Sequence, residues 1–168
     1  MRVALGVGVA DIRQLAFGRE LVGNGDVESG IVWPDDWFYS LTNTVWTTED
    51  SRSGSRSLKI HTANDTADWR SLHFPAKGNA RYRLQGHFKG QGGLDLYLTI
   101  RWWSNPDGTG FIDQQSILLD GTYAVFTRKM LDSVSPPAAQ SGDIVFWATA
   151  PTTVEILGDD FSVREMRQ

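Results

Sequence analysis

LDLYLTIRWW, residues 94–103, is the stretch on which the fold turns. Leu94, Leu96, Leu98, Ile100 and Trp102 share one parity; Asp95, Tyr97, Thr99, Arg101 and Trp103 share the other. A period of two belongs to an extended strand, whose successive side chains point to opposite faces. The even face is wholly apolar. The odd face mixes a carboxylate, a hydroxyl, a guanidinium and two large aromatics. Such a strand fits an antiparallel sheet with its core on one side and water or a ligand on the other.

Working outward, Ala80 to Lys89 repeats the pattern. Ala80, Tyr82, Leu84, Gly86 and Phe88 alternate with Arg81, Arg83, Gln85, His87 and Lys89. Between the two strands, Gly90-Gln91-Gly92-Gly93 reads as a turn. After the second, Ser104-Asn105-Pro106-Asp107-Gly108 is a turn in which proline presets one dihedral and glycine permits positive φ. Ser57–His61 and Arg70–Phe74 alternate over shorter spans, and further strands are expected at 116–119, 123–130, 144–149, 154–157 and 161–164. Asp11 to Glu20 is the one weak helical candidate. Many short strands between polar turns predict an all-β chain folded as an antiparallel β-sandwich, a jelly roll.

Composition bounds the function. At 168 residues, 40% hydrophobic and 21% charged, the chain can bury a core and is not wholly disordered. A net charge of −4 gives no basic footprint for nucleic acid. The absence of cysteine removes disulfides, thiolate metal sites and cysteine nucleophiles. No stretch reaches the length of a membrane span. The opening run MRVALGVGVA is short, broken by Gly6 and Gly8, and lacks a clean cleavage pattern, so no export signal is read. Val3, Leu5, Val7 and Val9 alternate as in an extended arm. Residues 1–20 are therefore read as an N-terminal arm or docking segment, and 21–168 as the jelly-roll domain.

Four short motifs carry a resemblance. Asn24-Gly25-Asp26-Val27-Glu28-Ser29-Gly30 resembles the N-G-D-F-E-x-G opening of calcium-containing jelly-roll carbohydrate-binding modules, a galactose-binding-like fold. Gly54–Ile60 is similar to their G-x-x-S-L-K-I strand, Tyr82–Gly90 to their Y-x-L-S-x-x-V-K-G segment, and Asp159–Val163 to their closing D-D-V-S-V. The motifs occur in the family's order and cover roughly Leu21 to Glu165. Val27 departs from the pattern, where the family has an aromatic. Ile100–Gly108 resembles the form found in such domains on bacteriophage tail and virion proteins.

The resemblance implies a structural Ca2+ held by the side chains of Glu28 and Asp160, with carbonyls near Asp26 and Ser55 completing the shell. The alternative for these acids is turn formation and strand capping. If residues 80–89 and 94–103 pair as a hairpin, Arg83, Gln85 and His87 lie beside Tyr97, Arg101 and Trp103. Aromatics that stack on sugar faces, with a few convergent polar groups, make these six the candidate ligand site. The alternative is a solvated face, or one covered by another subunit. Of Trp33, Trp37, Phe38, Tyr39, Trp46 and Trp69, at least two are expected in the core.

Catalysis is not expected. Asp35-Asp36 and Asp159-Asp160 are adjacent pairs that face opposite ways on a strand, unlike the facing carboxylates of a glycosidase. His61, His73 and His87 lack metal-ligand spacing. The expected function is that of a non-catalytic virion domain, made in the host cytoplasm, that binds host or environmental glycan for phage attachment. Its partners would be glycan and other virion proteins of tail or capsid, with homo-oligomers compatible. The alternative is a structural decoration or tail assembly protein that uses the fold as a scaffold.

Overall fold

A computed structural model describes residues 17–39, 43–63, 65–149 and 153–167. The proposed arm at Val3–Ala10 lies outside the described residues. Among the described residues twelve strands follow one another, beginning with β1 (Phe17–Glu20), β2 (Trp37–Tyr39), β3 (Thr44–Thr47), β4 (Ser57–Ala63), β5 (Ala67–Ser71) and β6 (Phe74–Pro75). The second half of the chain forms β7 (Arg81–Gln91), β8 (Leu96–Trp103), β9 (Phe111–Leu118), β10 (Thr122–Val134), β11 (Ser141–Ala148) and β12 (Thr153–Met166). There is no helix among the described residues.

The strands make two antiparallel sheets. The first runs β10-β7-β12-β4-β3, with β1 also on β12; the second runs β2-β5-β11-β8-β9, with β6 also on β11. The chain is an all-β antiparallel sandwich, as its period-two patterning requires.

Alternation decides which way each side chain goes. Tyr82, Leu84 and Phe88 of β7 face inward, and so do Leu96, Leu98, Ile100 and Trp102 of β8; all are buried. They meet across the core rather than side by side. The rings of Tyr82 and Trp102 are 5.0 Å apart, and those of Phe88 and Phe146 5.3 Å. Trp37 packs on Phe161 at 4.9 Å. Each large side chain so buried contributes about 1.5–3 kcal/mol. Gly142, opposite Trp102 in the β11–β8 register, leaves room for that indole: a Cβ there would lie 2.7 Å from the Phe74 ring and 3.0 Å from Trp102.

The expected hairpin between residues 80–89 and 94–103 does not form. β7 pairs with β10 and β12, and β8 pairs with β11 and β9. Gly90–Gly93 therefore lies where the chain crosses from one sheet to the other, and Gly92 and Gly93 donate to the carbonyls of Gly121 and Leu119. Two strands that each carry one apolar face can pair, or can oppose each other across a core; period two is the same in both cases. Other boundaries shift as well. Phe17–Glu20, within the weak helical candidate, is strand β1 on β12. The expected strand at 70–74 is broken at Leu72-His73 between β5 and β6, and the two short strands at 154–157 and 161–164 are one long strand with an irregularity between Asp159 and Ser162.

Candidate functional site

The outward side of the second sheet is the more aromatic. Its central row crosses five strands: Phe38, Arg70, Val145, Thr99 and Ser116 are successive register partners. On one side runs the row Asp68, Trp147, Tyr97 and Leu118; on the other, Asp143, Arg101 and Gln114. Tyr97 and Trp147 present a tilted ring pair, with centroids 5.1 Å apart and 30° between planes. Both stay half-exposed, because none of the described residues stacks over this side of the sheet.

Hydrogen bonds fix the platform. The Trp147 Nε1 donates to Thr99 Oγ1 at 2.7 Å, and Thr99 shares a 2.8 Å hydrogen bond with Ser116. Arg70 Nε donates to Asp68 at 2.6 Å. Asp143, almost wholly buried, accepts from Arg101 Nε at 3.0 Å, from the same guanidinium's Nη2, and from Trp103 Nε1 at 3.0 Å. One carboxylate thus aims both an arginine and an indole. A depression of about 230 Å³ lies between these groups, with Arg70, Thr99, Arg101, Gln114 and Trp147 in its lining. It has an aromatic wall, two guanidiniums and a carboxamide.

Tyr97, Arg101 and Trp103 are on this face, as their odd parity required. Arg83, Gln85 and His87 are not; they face outward from the first sheet, on the opposite side of the sandwich, because β7 and β8 belong to different sheets. The six candidates therefore split into two groups of three. Arg83 is committed to a two-pronged ion pair with Asp132, at 2.6 and 2.7 Å. Gln85 and His87 border an open depression of about 500 Å³ with Arg52, Arg128, Asp160 and Arg164. Burial, reinforced by the charge of Arg52, holds the His87 imidazole below the usual histidine range.

Sequence reasoning assigned no role to Trp147, Asp143, Arg70 or Gln114. Ile144–Trp147 reads as an unbroken apolar run, the mark of a strand buried on both sides, so Trp147 carries no outward signal. Asp143 precedes that run and resembles a loop acid. Among the loop aromatics, Trp37 and Trp69 are buried, whereas Trp33, Phe38 and Tyr39 are exposed.

The acids expected to hold Ca2+ have other partners. Glu28 Oε1 accepts the backbone N–H groups of Ser55 and Arg56 at 2.9 and 2.7 Å, and Oε2 accepts Ser55 Oγ at 3.0 Å. Burial alone would raise this carboxyl; those N–H groups outweigh it and hold it below the usual range. Asp159 faces inward and accepts the N–H groups of Arg52, Ser53 and Asp160, at 2.7, 3.1 and 2.6 Å. Asp160 takes the Arg52 guanidinium and, at 2.8 Å, Ser53 Oγ. Asp26 is exposed. A calcium shell needs six to eight oxygens turned toward one point. Here donors from residues 52–56 already occupy the oxygens of Glu28, Asp159 and Asp160, and no group of three metal-ligating side chains occurs among the described residues. The arrangement fits a loop clasped by N–H groups better than a calcium shell.

The backbone supports that clasp. Val27 has φ 52°, a left-handed conformation that is costly for a β-branched residue. Its N–H donates to Asn24 O at 3.0 Å and its carbonyl accepts Trp46 Nε1 at 2.8 Å, which hold the turn and aim Glu28 at the loop. Gly54 has φ 59°, and a Cβ there would lie 2.2 Å from the Glu28 carboxyl carbon.

No protein-family model matches the chain, and no curated protein matches it. Solved structures do. A family 16 carbohydrate-binding module superposes with a TM-score of 0.63 at 19% identity, over 85% of this chain and 98% of that one. A family 61 module in complex with β-1,4-galactotriose gives 0.59 at 13% identity, over 87% and 98%. The enzymatically active domain of bacteriophage CBA120 tailspike protein 4 gives 0.65 at 16% identity; the match covers 88% of this chain and 21% of that one. The fold is thus the jelly-roll sandwich of carbohydrate-binding modules, and identities this low define the fold alone.

Proposed function

We propose that the outward face of the second sheet binds a glycan, and that the domain acts by binding rather than by catalysis. The observation that carries this reading is the half-exposed Tyr97–Trp147 pair beside a depression bordered by Arg70, Arg101 and Gln114. Sugar rings offer flat C–H faces to aromatics and hydroxyls to guanidinium and amide groups, and the depression presents both kinds of partner. The carboxylates of Asp68 and Asp143, in the rows that border the depression, are each engaged by an arginine. They serve to orient their guanidiniums. The family 61 module with its bound galactotriose supports the glycan reading by likeness of fold.

The same reading extends to attachment of a virion to a glycan-bearing surface. It is supported by the likeness to a phage tailspike domain and by the Ile100–Gly108 motif. Single sites of this kind bind weakly, because hydroxyls exchange water for protein partners at little net gain. Many copies on one particle would raise avidity through effective concentration.

The test is calorimetric titration with a panel of neutral plant and bacterial polysaccharides, comparing the unaltered protein with Tyr97→Ala and Trp147→Ala. Specific binding that falls at least tenfold in both variants, with melting temperature little changed, is the expected result. Binding that survives both substitutions would remove the second sheet from the account.

A further inference from the structure

The depression on the outward face of the first sheet is a separate place, on the far side of the sandwich from the glycan face. The strand pair that floors it shows two kinds of rung. At one rung Arg83 faces Asp132 and the charges cancel. Four residues further along β7, His87 faces Arg128 instead. His87 offers no negative charge, so the Arg128 charge is left uncancelled on the ladder. Arg128 is exposed and has no carboxylate partner among the described residues. Around it stand Arg52 and Arg164, whose side chains are 47% and 44% exposed and which each spend one group on Asp160 and Glu20 respectively. Three guanidiniums therefore border one depression of about 500 Å³, each with donors left over. Of the three carboxylates in the same lining, Asp160 and Glu20 are engaged by Arg52 and Arg164, and Asp26 stands at the exposed rim, which leaves Arg128 as the uncancelled cation.

Two further groups add to this. His87 Nδ1 is buried and has no hydrogen-bond partner among the described residues. Gln85 lies on the same face of β7, two residues away, and lines the same depression. A guanidinium is a planar fork that matches a carboxylate, and a carboxamide and a neutral imidazole are hydroxyl partners.

We propose that this depression is a second ligand site, for an acidic saccharide, with Arg128 and the free edges of Arg52 and Arg164 holding its carboxylate and Gln85 and His87 its hydroxyls. That the ligand is a saccharide rests on the function proposed above; the anionic group rests on the arginines alone. The two faces would then bind different sugars, neutral on the second sheet and acidic on the first.

The experiment is titration of the protein at low salt with an oligogalacturonate, a neutral galactose oligomer of equal length, and inorganic phosphate. Histidine ring signals are followed by NMR alongside affinity. Oligogalacturonate is expected to bind, to shift the His87 ring signals, and to weaken at least tenfold in Arg128→Ala, with Arg128→Lys in between. Trp147→Ala should leave this binding intact, which separates failure here from failure of the second-sheet site. A melting curve for each variant confirms folding. No binding of oligogalacturonate, binding indifferent to Arg128→Ala, or loss confined to Trp147→Ala would overturn the proposal. Equal affinity for inorganic phosphate would also overturn it, by showing a simple anion site without saccharide recognition.

Discussion

Asp143 accepts hydrogen bonds from both Arg101 and Trp103, so a single buried carboxylate orients two of the groups on the second-sheet face. Asp143 is on β11, and its partners are on β8, directly opposite and two residues on. Removing it strands the Arg101 charge and frees the indole. The cost of breaking a buried pair is about 3–5 kcal/mol. Arg101 keeps 19% of its side chain in water, which places Asp143→Ala at the low end, about 3 kcal/mol. Chemical denaturation should show that loss, and Trp103 fluorescence should shift as the ring reorients. An unchanged midpoint would mean that the pair is unimportant.

Trp102 and Trp103 are neighbours with opposite roles. Trp102 is fully buried against Tyr82, and truncation to alanine should cost about 3–5 kcal/mol. Trp147→Ala removes a half-exposed ring and should cost well under that while abolishing most glycan binding. Paired melting and binding measurements on the two variants check this. Equal destabilisation by both would place Trp147 in the core.

How much of this was legible in the sequence follows from parity. Within Leu96–Trp103 parity announced the inward and outward sets, and Tyr97, Arg101 and Trp103 do face outward; Leu94, expected inward, precedes β8 and is 76% exposed. Parity is blind to which sheet a strand joins, so Arg83, Gln85 and His87 were assigned to the wrong face. Trp147 was hidden because Ile144, Val145 and Phe146 before it are also apolar. Strands β2 and β3, only three and four residues long, were missed because so short a run shows no periodicity. The Asp159-Asp160 pair was found, but which of the two turns inward depends on the left-handed φ of 49° at Asp160, which no spacing reveals.

The clasp at residues 52–56 makes its own prediction. With N–H donors already on Glu28 and Asp159, melting temperature should be the same in calcium and in chelator. Glu28→Gln should lower it in both, because the amide offers one acceptor oxygen where the carboxylate offers two; about 1–3 kcal/mol is the expected loss. A melting point that falls on chelation and is insensitive to chelator in Glu28→Gln would restore the calcium shell.

Asp159 should give stability a pH dependence. Burial pushes its carboxyl up to about 6, and the N–H groups of Ser53 and Arg52 offset only part of that. In the unfolded chain it titrates near the ordinary aspartate value, about 4. Between about 4 and 6 the folded state holds the extra proton, so its contribution is fully present below about 4 and is lost as pH rises through about 6. Denaturation midpoints across that window should fall with pH more steeply in the unaltered protein than in Asp159→Asn. Parallel curves would show that Asp159 is ionised throughout.

The central claim is that the second sheet, through Tyr97 and Trp147, recognises glycan. Its most direct test is an NMR titration of the uniformly labelled protein with each neutral glycan of the panel, read at the indole N–H signals of Trp147 and Trp103. The account expects at least one glycan to shift both in a saturable way while the Trp69 indole N–H, buried on the other side of β5, stays put. Shifts confined to other surfaces, or no response to any glycan, would contradict it.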